Sequence, residues 1–153
     1  MRALELKIPP PAVAVLIAGA MWGISLVAPA LDVPRLVRLG AAIAIALAGG
    51  GIALSGAIAF RRAGTTVNPM KPHTASSLVT TGIYRITRNP MYVGDVFVLV
   101  AWAIFLSAPW TLAGAPAFVL YMNRFQIAPE ERVLLAKFGA NYSTYTAKVR
   151  RWL

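Results

Sequence analysis

Long uncharged runs alternate with polar connections along this chain, and the run lengths predict helices that cross a membrane. From Pro11 to Leu31 no charged residue occurs, enough chain to span a hydrocarbon core of about 30 Å as a helix. A cleaved signal peptide competes for this run, because Ala28-Pro29-Ala30 has the small residues of a cleavage site. The stretch exceeds the usual signal core of about 7–15 residues, so a retained span over 11–31 is expected. Asp32, Arg35 and Arg38 form a polar turn, and a second span follows over 39–60. Its Gly49-Gly50-Gly51 lacks the preceding strand and the glycine spacing of a nucleotide-binding loop; small residues within a span predict close helix packing instead. Residues 91–125 carry only Asp95 and Arg124 as charges. As one helix they would run roughly 50 Å at about 1.5 Å per residue, too long for one crossing. Ser107-Ala108-Pro109 therefore reads as the turn of a hairpin, with spans over 91–106 and 110–125 and Pro116 as a candidate kink in the fourth.

Two polar segments remain. Residues 61–89 form a connection of a length that compact domains usually reserve for function. In the tail, 126–153, Pro129 suits a first helical position and places Glu130 and Glu131 in a first turn. Glu131, Leu135, Phe138, Tyr142, Tyr145, Val149 and Trp152 recur at alternating spacings of four and three, which predicts one amphipathic helical face, with Gly139 as the candidate break. The expected fold is thus an all-α integral membrane protein: one domain over 1–153, about four transmembrane helices and an amphipathic C-terminal helical segment.

Composition strengthens this reading. The chain is 58% hydrophobic and 13% charged, against about 25% charged in soluble domains. Its net charge of +10 would suit nucleic acid, yet the cations flank apolar runs and form neither a basic helix nor a pattern with stacking aromatics, so that partner is excluded. Thirteen of the fifteen Lys and Arg lie with the two termini and the long connection, and two lie in the 32–38 turn. The positive-inside rule then puts both termini, 61–89 and 126–153 in the cytosol, on one membrane face. The absence of cysteine and the single histidine, His73, exclude disulfides, thiolate catalysis and a Cys/His metal site. A small four-helix exporter would be expected to carry an acid deep in its first span, and 11–31 has none. A structural membrane adaptor is the third class; binding of a small-molecule cofactor separates it from an enzyme.

Chemistry concentrates in two stretches: Gly82-Ile83-Tyr84-Arg85-Ile86-Thr87-Arg88-Asn89-Pro90-Met91-Tyr92-Val93-Gly94, and Glu130-Glu131 followed by Phe138-Gly139, Tyr142 and Tyr145. Over about 65–151 the chain resembles the isoprenylcysteine carboxyl methyltransferases and the related membrane phospholipid N-methyltransferases. Ile83 stands where the family pattern has proline, and Asn89 where many members have histidine; asparagine can hydrogen-bond a cofactor but cannot act as a general base. The resemblance implies an S-adenosylmethionine-dependent methyltransferase acting at the cytosolic face on a lipophilic acceptor that enters from the bilayer. Carboxyl methylation of an isoprenylcysteine-type substrate is the first expectation, with a phospholipid amine or a small thiol or acid as alternatives. It further implies a cofactor site made from Tyr84, Arg88, Asn89, Pro90, Tyr92, Glu130, Glu131, Tyr142 and Tyr145. Within that site a glutamate pairs the cofactor ammonium, an arginine (Arg85 or Arg88) grips its carboxylate, and tyrosines pack on adenine or the sulfonium. Arg85, Arg151 and Asp95 are the catalytic candidates, Arg151 to orient an acceptor carboxylate and Asp95 as an acid inside a span. A structural ion pair between Asp95 and Arg88 is the competing expectation. No metal is implied.

Overall fold

The computed structural model describes residues 5–65, 70 and 72–153. Arg2 and Lys71, two of the cations behind the charge asymmetry, lie outside the described residues, as does 66–69 of the long connection. The helices are α1 (Pro10–Val27), α2 (Arg35–Arg62), α3 (Pro90–Leu106), α4 (Gly114–Tyr121) and α5 (Ala128–Lys148). Among the described residues the one extended pairing is an isolated parallel bridge between Thr87 and Arg150. By length and apolarity α1 and α2 can each cross a membrane, and α3 is a shorter apolar helix. Val15, Leu16, Leu36 and Leu47 are among the large apolar side chains these helices leave exposed. Exposed apolar side chains in this number suit an apolar neighbour.

The helix boundaries have local causes. Pro29 disfavours helical backbone at Ala28, which is extended, so α1 ends at Val27 rather than near residue 31. α2 begins directly after Pro34. Ser107 closes α3 with a left-handed φ of 58°. At that turn Leu31 N donates to Ser107 O at 2.6 Å and Ser107 Oγ donates to Leu31 O at 3.0 Å, tying the two connections at this end of the bundle together.

The segment expected as a fourth span and the tail form one continuous helical run, with no loop near residue 126. A 3-10 turn (Pro109–Ala113) feeds α4, and a π-helical turn (Met122–Ile127) runs into α5 with no loop. Pro129 accounts for the widened turn: it has no N–H for the carbonyl four residues back, and its ring crowds that group. The released Phe125 O instead accepts from Leu6 N at 3.0 Å, and Glu5 adds ion pairs to Arg124 and Arg132. Glu130 and Glu131 therefore sit inside a continuous helix, not at a free N-terminus, and the dipole argument for them lapses. Pro116 falls in the first turn of α4, where a missing N–H costs little, rather than mid-span. The tail's apolar stripe also divides. Gly139, at φ 50° and ψ −123°, interrupts α5, Val149 and Trp152 lie past its end, and Leu135 is exposed.

Packing joins α1, α3 and α4 through Met21, Tyr92, Leu99, Phe118 and Met122, while α2 lies against α3 through glycines. A Cβ on Gly94 would stand 2.6 Å from Gly49 O and 2.7 Å from Ala53 Cβ, and one on Gly56 would stand 2.8 Å from Pro90 Cγ. Gly50 and Gly51 face open space, so one member of the triple glycine does the packing. Gly94→Val should lower the melting temperature in detergent, at the roughly 1–3 kcal/mol typical of overpacking. Gly50→Ala should leave it unchanged or slightly raised. Equal melting of the two variants would mean that this crossing does not set the stability.

Candidate functional site

The end of the bundle that gathers the α2 C-terminus, the α3 N-terminus and the start of α5 is roofed by the long connection. Between them lies a cavity that is partly open to solvent. Phe60, Pro72, Ala75, Val79, Ile127 and Leu134 give it apolar walls. Of the sequence-predicted residues, Tyr84, Arg88, Asn89, Tyr92, Glu130, Glu131, Tyr142 and Tyr145 all line it. Pro90 is fully buried behind them as the first residue of α3.

Local structure fixes each of these side chains. The 3-10 turn Gly82–Arg85 buries Tyr84, whose ring meets Phe60 edge-on at 5.2 Å and whose carbonyl accepts from Tyr145 Oη at 2.7 Å. The segment 87–89 is pinned by the chain's last residues. Arg88 N donates to Arg150 O at 3.0 Å, and Thr87 Oγ1 and Asn89 Nδ2 donate to Arg151 O at 3.2 and 2.8 Å. Asn89 is therefore already committed through its amide to this clamp.

The two glutamates have different surroundings. Glu131 is doubly neutralised: Arg151 grips both of its oxygens, at 3.1 and 2.6 Å, and Arg88 Nη2 approaches at 3.2 Å. The same carboxylate raises the pKa of Arg151. Glu130 has no cation paired with it among the described residues. It accepts from Tyr92 Oη at 3.3 Å, and burial pushes its carboxyl up to about 7, the Tyr92 bond opposing the shift and the Glu131 charge adding to it. Burial likewise raises the Tyr84 and Tyr145 hydroxyls and takes Tyr142 to about 12. Two buried polar atoms at the cavity, Tyr84 Oη and Arg88 Nε, have no hydrogen-bond partner among the described residues.

The three catalytic candidates scatter. Arg151 stands behind the cavity in its pair with Glu131, and Arg85 lines a different groove. Asp95 lies one turn farther into α3, partly buried, with no hydrogen bond or ion pair among the described residues. Arg88 pairs with Glu131, so the expected Asp95–Arg88 pair is not formed. Sequence reasoning missed Thr87, which is fully buried, and Asn123, whose Oδ1 accepts from Trp152 Nε1 at 3.1 Å and from Arg151 Nη1 at 3.4 Å. Asn123 had a signal, as an amide inside an apolar run; Thr87 had none. Among the described residues no three His, Asp or Glu side chains are grouped to hold a metal.

A family model described as phospholipid methyltransferase matches residues 37–141. That range takes in the 82–94 motif and the glutamate pair. An uncharacterized protein of Haemophilus influenzae is 44% identical over 63 residues, which is 41% of this chain and 100% of that one. No solved structure matches the chain.

Proposed function

The chain belongs to the phospholipid methyltransferase family, to which the isoprenylcysteine carboxyl methyltransferases are related, and from that premise we propose that it transfers a methyl group from S-adenosylmethionine to a lipophilic acceptor at the cytosolic membrane face. One observation carries this reading: the cavity holds unmatched polar groups of both kinds, a carboxyl without a cation at Glu130 and partnerless donors at Tyr84 Oη and Arg88 Nε. An ammonium and a carboxylate on one ligand would satisfy them.

S-adenosylmethionine supplies an electrophilic methyl group on a sulfonium. The protein's task is then alignment and exclusion of water. Glu130, with its charge uncommitted, takes the ammonium, and Arg88 Nε and Tyr84 Oη take the carboxylate. Tyr92, Tyr142 and Tyr145 offer ring faces to the adenine or the cation. Glu131 is spent on Arg88 and Arg151 and positions them. Both termini and the 61–89 connection lie on the cytosolic side in this reading, supported by the charge asymmetry and by the cavity's place at that end of the bundle.

An isoprenylcysteine-type acceptor was to have its carboxylate oriented by Arg151, but Glu131 already holds that cation. A second acceptor, the amine of a phospholipid, is favoured by Asp95: it has no partner among the described residues, lies one turn deeper than Tyr92, and can take the proton that an ammonium must lose before it attacks. The test uses the purified protein with a labelled methyl donor and three acceptor sets: prenylcysteine acids, phosphatidylethanolamines and short water-soluble thiols or acids. Methylation of a lipid acceptor is expected. Labelling of the short compounds alone would overturn the lipid reading, and absence of S-adenosylmethionine binding would overturn the methyltransferase assignment.

A further inference from the structure

Beyond Tyr145, which forms part of both walls, a second groove opens on the same end of the bundle. Thr80, Arg85, Asn141, Thr144 and Lys148 supply its polar lining, and Leu78 and Val149 are among its apolar residues. Arg85 and Lys148 are exposed, and neither makes a hydrogen bond or ion pair among the described residues; no acid lines the groove. The chain has few acids to spare for them, 5 against 15 cations. Glu5 is taken by Arg124 and Arg132, and Glu131 by Arg88 and Arg151. Glu130 lies in the cofactor cavity, Asp95 is inside α3, and Asp32 is at the opposite end of the bundle.

Two uncompensated cations on separate segments, with hydroxyls and an amide between them, make a receptor for a tetrahedral oxyanion. We propose that this groove binds the phosphate of an anionic phospholipid from the membrane face on which it opens. A lipid fits better than free phosphate because Leu78 and Val149 line the groove and Ile86, beside Arg85, is 61% exposed. Cations bordered by exposed apolar side chains at the end of membrane helices are placed for an anionic interface. The groove is walled by the 80–85 segment and by the half of α5 beyond the Gly139 break. A bound headgroup would therefore fasten that half-helix, with Tyr142 and Tyr145, against the cofactor cavity.

The test measures binding of short-chain phosphatidic acid to the purified full chain in a zwitterionic detergent, with short-chain phosphatidylcholine and inorganic phosphate as comparison probes. Saturable binding of phosphatidic acid is expected, weakened at least tenfold in R85A/K148A, less in either single variant, and unchanged in R61A/R62A, which removes two other cations of this end. Thermal melts of all variants should coincide, since every substituted side chain is exposed. Equal affinity of R85A/K148A and the parent would overturn the site. Equal binding of phosphatidylcholine would overturn its dependence on charge, and inorganic phosphate binding as tightly as phosphatidic acid would overturn the lipid assignment.

Discussion

Replacing Glu130 by glutamine should weaken S-adenosylmethionine binding at least tenfold at pH 8 and flatten its dependence on pH. Hydrogen bonds to charged groups are worth about 1.5–3 kcal/mol, and roughly 1.4 kcal/mol is a tenfold change in affinity. Glutamine keeps the bond from Tyr92 and the volume while removing the charge. In the parent protein the carboxyl titrates at about 7, so at pH 6 it is mostly neutral and must lose a proton to meet an ammonium. Affinity should therefore rise about tenfold from pH 6 to a plateau above pH 7, until the ammonium itself deprotonates. Calorimetry in buffers of different ionisation enthalpy should show proton release at pH 6 and little at pH 8. The ligand-free protein should behave in the opposite sense. A carboxyl whose folded pKa is raised from 4.5 to about 7 contributes stability that is complete below pH 4.5 and lost as pH rises through 7. The loss is at most about 3 kcal/mol at about 1.4 kcal/mol per pKa unit, and it is absent in Glu130→Gln. Affinity that is independent of pH in both proteins would remove Glu130 from the ammonium site.

How far sequence reaches into this site depends on the kind of interaction. Tyr84, Arg88, Asn89, Tyr92 and the glutamate pair were marked by a motif, and the uncharged runs located α2 and α3 to within a few residues at each end. What distinguishes Glu130 from Glu131 is tertiary. The two are neighbours in sequence and equal in type, and only the arrival of Arg151 at one and Tyr92 at the other separates them. Gly94 shows the reverse case. It closes the motif without a role assigned to it, and a side chain there would strike the backbone of α2, so its role is packing. The π turn before α5 was hidden because Pro129 signals a helix start as readily as a widened turn. The sign that it is the latter is a partner for Phe125 O, supplied by Leu6 from the far end of the chain. The break at Gly139 was legible, because a glycine inside a patterned run marks a possible left-handed turn, and it divides the stripe where expected.

Removing Arg150 to Leu153 should abolish detectable cofactor binding, although none of these four residues lines the cavity. Their backbone receives the donors that set the entry to α3: Arg88 N on Arg150 O, and Thr87 Oγ1 and Asn89 Nδ2 on Arg151 O. Thr87 is fully buried, so its hydroxyl would lose its acceptor at the roughly 1–3 kcal/mol of an unsatisfied buried group. Glu131 would lose its two-oxygen grip and keep only Arg88, drawing that guanidinium away from any ligand. Trp152 would release Asn123 in the π turn. Point variants separate these contributions. Arg151→Ala retains the carbonyl bonds and loses the ion pair and the weaker bond to Asn123, so its cofactor affinity should fall less than that of the truncated chain. Arg151→Lys keeps the charge without the planar fork and should fall between Arg151→Ala and the parent. That order, measured by calorimetry beside thermal melts, makes the C-terminal segment the clamp that holds 87–89 in place. An Arg151→Ala protein with full cofactor affinity that fails only with carboxylate acceptors would instead return Arg151 to the acceptor, and with it the isoprenylcysteine-type reaction.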